Sequence, residues 1–325
     1  MTNRRHTLIA GAALLAASAL PGFARADDFP SKPVRIVIPY PAGGATDLIA
    51  RIVADRLTAK WGQSVVPDNR PGAGTTIGAE AVAKAPADGY TLFMTTSAHT
   101  ISASLYKKLS YDPLKDFTPI TLVATIPLVL VVSPDLPAKN LQELVALAQS
   151  SPKGLSIASP GNGTAQHLAG ELFKNRAKVE STHVPYRGDA PMINDLLGGQ
   201  VQAGFVTLSV AIPYIQSGKL RALALAHGKR IDAIKAIPTF AEAGFPGFEA
   251  ATWFGLLGPA GMPPTVVAKI RNDVAAIVDM PQTREKLIEM GSEVNNTTPE
   301  AFAAFIASES ARWKEAVRIS GARLD

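Results

Sequence analysis

The chain contains no cysteine. Thiol nucleophiles, disulfide staples, iron–sulfur clusters and cysteine zinc sites are therefore excluded. At 325 residues the chain needs no staples, because a chain of this length buries most of its surface on folding. Aromatic residues are scarce, at 6%, and no basic run is interleaved with them, so no nucleic-acid surface is expected. Enzyme signatures are equally thin. There is no His-Glu-x-x-His, no Gly-x-Ser-x-Gly and no Gly-Lys-Ser or Gly-Lys-Thr phosphate loop. His99, His167, His183 and His227 are scattered without metal-ligand spacing, so neither a metal nor a cofactor is expected.

Long apolar runs are also missing, except at the start. Arg4 and Arg5 precede an apolar stretch from Leu8 to Leu20, and Ala24-Arg25-Ala26 forms a small-x-small cleavage site. That order is a secretory signal over residues 1–26, with a mature chain beginning at Asp27 outside the cytoplasm. The competing reading, a membrane anchor, needs about 20 apolar residues, and this run is shorter. The paired arginines loosely match a twin-arginine signal, so the export route stays open. Of the formal charge of +5, Arg4, Arg5 and Arg25 lie in the export segment. The weak positive balance that remains suits an anionic small ligand.

The mature chain alternates between the two periodicities. Val34–Ile38, Ser64–Pro67 and Thr91–Thr95 read as strands, separated by helical patterns over Asp47–Lys60 and Thr75–Ala85. Phe117–Val132, two apolar runs split by Pro127, reads as a strand passing into another domain, and a second series follows it, with strands expected at Leu155–Ala158, Ser181–Val184, Val201–Val206 and Leu220–Ala226. Helices are expected at Leu141–Gln149 and Ala165–Lys174. The tail is helical over Pro264–Val278 and from Thr298-Pro299-Glu300 to about Ile319, with Pro at the first helical position. The pattern predicts an α/β fold with a largely parallel sheet, in two domains. The boundaries fall at 27–123 plus 248–325 for the first domain and 124–247 for the second.

Three glycine-bearing loops join expected strands to expected helices: Tyr40-Pro-Ala-Gly-Gly-Ala-Thr-Asp47, Asn69-Arg-Pro-Gly-Ala-Gly-Thr75 and Ser159-Pro-Gly-Asn-Gly-Thr164. Glycine lets backbone amides approach a ligand, and a helix N-terminus adds free donors and partial positive charge. In an open α/β sheet, ligands gather beyond the carboxyl ends of the strands, where these loops lie. Any strand-to-helix turn favours the same residues, and Asp47 either caps its helix or meets the ligand. Gly72, Gly74 and Gly78 miss the dinucleotide spacing by one residue. A hydrolase triad built on Ser159, His167 and an aspartate has no supporting motif.

At these loops the chain resembles the tripartite tricarboxylate transporter receptors, the Bug family of periplasmic solute-binding proteins. The resemblance is carried by Tyr40–Asp47 with Arg51, Asn69–Gly74, Ala87–Leu92, Tyr111–Pro113 with Asp116–Pro119, Gly161–Thr164 with His167–Ala169, His183–Gly188, Asp195–Gly199 and Gly218–Ala222. It implies a type II periplasmic-binding-protein-like fold with a ligand cleft between two domains. It also implies capture of a small organic carboxylate and delivery to membrane permease subunits, by a non-enzymatic monomer. The rival functions are a ligand-loaded periplasmic sensor and a secreted hydrolase with Ser159 or Ser97 as nucleophile. The implied ligand-binding residues are Tyr40, Ala42, Gly43, Gly44 and Asp47 in the first loop, and Ser159, Gly161, Asn162, Gly163, Thr164 and His167 in the third. Ser97, Tyr186 and Val206 complete the set. Many members carry Asp where this chain has Val206, which favours a plain carboxylate or aromatic acid over an amino acid.

Overall fold

The computed structural model describes residues 29–152 and 154–322. The expected export segment, residues 1–26, lies outside the described residues.

The first series runs β1 (Val34–Ile38), α1 (Ala45–Trp61), β2 (Val65–Asn69), α2 (Thr76–Ala83), β3 (Thr91–Thr96) and α3 (Ala98–Leu105). A long strand, β4 (Phe117–Val132), leads into the second series. That series comprises α4 (Leu141–Ser150), β5 (Leu155–Ser159), α5 (Ala165–Ala177), β6 (Ser181–Pro185), α6 (Asp189–Leu197), β7 (Ala203–Thr207), α7 (Leu208–Gln216) and β8 (Arg221–Leu225). The chain returns through β9 (Ala251–Pro259) and ends in α8 (Pro264–Val278), α9 (Pro281–Glu289), β10 (Glu293–Val294) and α10 (Pro299–Ser320).

The strands form one continuous path in the order β2-β1-β3-β9-β4-β7-β5-β6, with β8 and β10 also pairing with β4. The expected largely parallel sheet is corrected to a mixed one. Pairs β1–β2, β1–β3, β5–β6 and β5–β7 are parallel. Every pair made by β4 or β9 is antiparallel. The physical reason is the double crossing: β4 carries the chain from one half to the other and β9 carries it back. Pro127 sits inside β4 instead of ending it. It pairs with Ala251 of β9, and the next residue, Leu128, is already opposite Thr207 of β7. A residue without an N–H costs least at such a change of partner.

One face of the sheet carries a core that runs through both halves, from Ile36, Ile49 and Leu92 to Ile126, Val129, Met192 and Val206. The other face carries two clusters. Phe93, Trp253 and Phe302 fill the first half, and Phe173, Phe205, Phe240 and Phe248 fill the second. Helix α10 belongs to both. Phe302 and Ile306 pack in the first-half cluster, while Trp313 and Ala316 pack in the second. The Asn175 side chain of α5 donates to the Ile319 carbonyl at 2.9 Å.

Candidate functional site

The loops after β1, β3, β5, β6 and β7 converge between the halves. A cavity of about 670 Å³ opens at the mouth of the cleft, lined from one side by Tyr40, Pro71–Thr75 and Tyr106. The other side is formed by Pro160–Asn162, Thr164 and Pro185–Gly188. Deeper in lies a cavity of about 20 Å³ bounded by Tyr40, Ala45, Thr46, Thr96, Gln166, Asp189, Thr207 and Thr252, with Pro160 and Phe254. That volume is about one water. The outer space is mainly apolar and the inner one is ringed by hydroxyl and amide groups.

The first loop is shaped by Asp47. Its carboxylate accepts from the Gly43 N–H at 3.0 Å, from Arg51 Nε at 2.8 Å and from Asn69 Nδ2 at 3.0 Å. Asn69 also donates to the Tyr40 carbonyl at 3.0 Å. Burial pushes the Asp47 carboxyl up, but the Arg51, Gly43 and Asn69 donors outweigh it and hold the group below the usual carboxylate range. Asp47 is thus spent on the loop. It does not cap α1: the N-cap is Gly44, with no side-chain acceptor. No side chain of its own loop caps the first amides of α1, and a helix N-terminus left so by its loop is an anion site. Ala42 and Gly43 are exposed and line neither cavity. Tyr40 lines both, and its hydroxyl meets Thr96 Oγ1 at 3.0 Å.

The third loop turns its donors inward. Thr164 caps α5 by accepting from the His167 N–H at 3.2 Å, and its hydroxyl donates to the Gly161 carbonyl at 2.8 Å. His167 Nδ1 accepts from the Gly163 N–H at 3.2 Å, which sets the ring as the neutral Nε2–H tautomer. Its face stacks on His183 with centroids 3.9 Å apart. Burial drives His167 down to about 3, with His183 adding to it, and drives His183 down to about 4. Gly161, Asn162 and Thr164 face the outer cavity, while Gly163 and His167 lie behind it.

The hydrolase grouping does not assemble as expected. Ser159 Oγ lies 2.6 Å from His183 Nε2, not against His167, and is also bonded to the Gly161 carbonyl and N–H. No carboxylate is hydrogen-bonded to either ring among the described residues, and Ser159 is fully buried. Ser97 is buried too, accepting from the Trp253 N–H at 3.2 Å. Its neighbours Thr96 and Thr252 line the inner cavity in its place. Tyr186 lines the mouth and donates to Asp195 at 2.7 Å, and burial, then Asp195, pushes its phenol up to about 12. Val206 points into the apolar core, opposite Val129, and the next residue, Thr207, reaches the cavity.

Sequence reasoning passed over Thr46, Gln166, Thr207, Thr252 and Asp189. Gln166 donates to Thr207 Oγ1 at 2.8 Å, tying α5 to the end of β7. Asp189 heads α6 immediately after the Tyr186–Gly188 segment, a strand-to-helix junction of the same kind as the three glycine loops. That junction was the signal available for it.

Two halves joined by crossing strands, with ligand-ready loops facing one another, define a periplasmic binding protein. The sequence profile of the tripartite tricarboxylate transporter family receptors matches residues 49–321, and the chain belongs to that family. Protein BugT of Bordetella pertussis is 36% identical over 92% of both chains. The structure of Rpa4515 from R. palustris with adipate is similar at TM-score 0.89 and 38% identity, covering 91% of this chain and all of that one. MatC from Rhodopseudomonas palustris with bound malate is similar at TM-score 0.85 and 33% identity, over 89% of this chain and 100% of that one. The fold is the two-domain α/β fold of these receptors. No helix among the described residues is long and apolar enough to cross a membrane.

Proposed function

We propose that the protein captures a small organic carboxylate in the periplasm and hands it to the membrane permease subunits of a tripartite tricarboxylate-type transporter. The observation that carries this reading is the N-terminus of α1, which has no cap from its own loop and lies at a polar cavity between the halves. Adipate and malate on two relatives support a carboxylate as the occupant. The carboxylate would rest on the Gly44–Thr46 backbone, with Tyr40, Gln166 and Thr207 around it, and Tyr186 and Gly161–Thr164 closing over its far end. The closing units are residues 27–123 with 248–325, and residues 124–247, in a monomer. The inner cavity holds about one water, so the halves part to admit a ligand and close on it, the ligand favouring the closed state by its better fit there. The protein performs no chemistry on its cargo and uses no cofactor.

A thermal-shift screen of di- and tricarboxylates, aromatic acids and amino acids tests the reading. A binder present at a hundred times its Kd stabilises the fold by about 2.7 kcal/mol. X-ray scattering with that binder is expected to give a smaller radius of gyration than without it. A panel in which only non-acidic solutes raise the melting temperature would remove carboxylate capture.

A further inference from the structure

The cleft contains one carboxylate that the loops do not use. Asp189 is the first residue of α6, yet it does not cap that helix, whose N-cap is Gly188. Its side chain crosses instead to the opposite half. A Cβ built on Gly44 would lie 2.5 Å from Asp189 Oδ2, so the carboxylate rests directly on the bare N-cap of α1. The Ala45 amide faces it and draws its acidity back toward normal, against the burial that pushes the group up to about 6. The second oxygen, Oδ1, is shut off from solvent and has no hydrogen-bond partner. Such an oxygen is costly to leave unpaired.

The neighbours do not supply the missing donor. The Tyr40 hydroxyl is engaged with Thr96, and the Gln166 amide with Thr207. Arg51 is bound to Asp47. No Lys or Arg forms an ion pair with Asp189 among the described residues. Arg187 lines the outer cavity at the mouth of the cleft, not the inner one.

We infer that Asp189 is a specificity-determining residue, selecting carboxylates that also carry a proton-donating substituent, an ammonium or hydroxyl group, over plain diacids. The inference rests on the carboxylate-capture reading above. A plain carboxylate brought to the α1 amides would sit against a second carboxylate, and two such groups sharing a site cannot both ionise without cost. A ligand with a donor beside its carboxylate resolves both problems: its acid takes the α1 amides and its donor takes Asp189 Oδ1. Asp47 cannot serve in this way, because three donors already hold it. Val206 lies in the sheet core, and its lack of charge is made good from α6.

Calorimetry at pH 7.5 on the mature protein tests this with a matched triad, succinate, malate and aspartate, and a matched pair, adipate and 2-aminoadipate. The donor-bearing member of a set is expected to bind at least tenfold tighter than the plain diacid. In Asp189→Asn and Asp189→Ala that gap is expected to fall to threefold or less, with the plain diacid held as tightly as before or tighter. Whether malate or aspartate is preferred tells hydroxyl from ammonium, and either supports the assignment. Equal binding of succinate and its substituted partners by the unaltered protein overturns it, as does a gap that survives both substitutions. If no acid of either series binds, while a non-acidic solute does, the carboxylate-capture reading fails as well.

Discussion

Helices α1 and α5 begin in the same manner and end up in opposite states. Each follows a strand through a loop of glycine, threonine and small residues, and each points its N-terminus at the cleft. At α5 the acceptors are built in: Thr164 takes the His167 amide, His167 takes the Gly163 amide, and Ser159 takes the Gly161 amide. At α1 the only acidic side chain of the loop turns backward onto Gly43, and the N-cap is a glycine with nothing to offer. Glycine content therefore marks both turns, but the side-chain acceptor at the cap decides which helix keeps an anion site. The α5 loop is a closed wall, and the α1 loop is a socket.

The largest effect that would break this contrast is removal of the acceptor holding the socket open. Asp47→Ala strands Arg51, Asn69 and the Gly43 amide together. It is expected to destabilise the fold by about 3 kcal/mol, read from the urea midpoint.

Acid acts with opposite signs on the histidine pair behind the α5 loop and on Asp189, which faces the α1 N-cap. His167 and His183 have folded-state values far below the ordinary 6.5, so their contribution is present above pH 6.5 and is lost as pH falls toward 4. Buried His99, driven down to about 4, acts in the same direction. Asp189, raised to about 6, does the reverse: its contribution is full below the ordinary carboxylate value and is lost as pH rises through 6. Each group is worth at most about 1.4 kcal/mol per pH unit. The histidines outnumber the aspartate, so stability is expected to fall between pH 6.5 and 4. Replacing His183 with Asn flattens that slope, and Asp189→Asn steepens it. Urea titrations at several pH values read both, and a slope unchanged by either substitution would contradict the assignment.

Gly44→Ala sharpens the comparison from the socket side. Its φ of −85° tolerates alanine, so the obstacle is the Asp189 carboxylate across the cleft. Affinity for a plain diacid is expected to drop at least tenfold, or roughly 1.4 kcal/mol. Adding Asp189→Ala to the same chain should restore most of it. The smallest effect belongs to the wall: Thr164→Ala removes the cap of α5 and is expected to cost about 1 kcal/mol of stability.

Much of this was legible in the residues. The strands at Val34–Ile38, Thr91–Thr95 and Leu155–Ala158, the glycine loops and the last helix all follow from periodicity and capping chemistry. The mixed sheet was not. Phe117–Val132 was legible as one strand crossing between domains, but the change of pairing partner that hides the missing N–H of Pro127, and the antiparallel pairing on both sides of it, no local pattern encodes. Asp189 was equally hidden. An aspartate at the start of a helix reads as an ordinary first-turn acid, and only the approach of α6 to Gly44 turns it toward the opposite half. Val206 shows the same limit from the other side. Strand alternation places it with Val129 in the core, one residue away from the cleft that Thr207 reaches.

Helix α10 runs to 22 residues, or about 33 Å, and is seated in the cores of both halves at once. A clamp hinged on strands alone could swing wide. Here the same rod is seated at Phe302 in one half and at Trp313 in the other, where Asn175 of α5 also holds its last turn through the Ile319 carbonyl. The opening proposed above therefore has to bend this rod or unseat one of its ends, a cost that falls on every cargo alike.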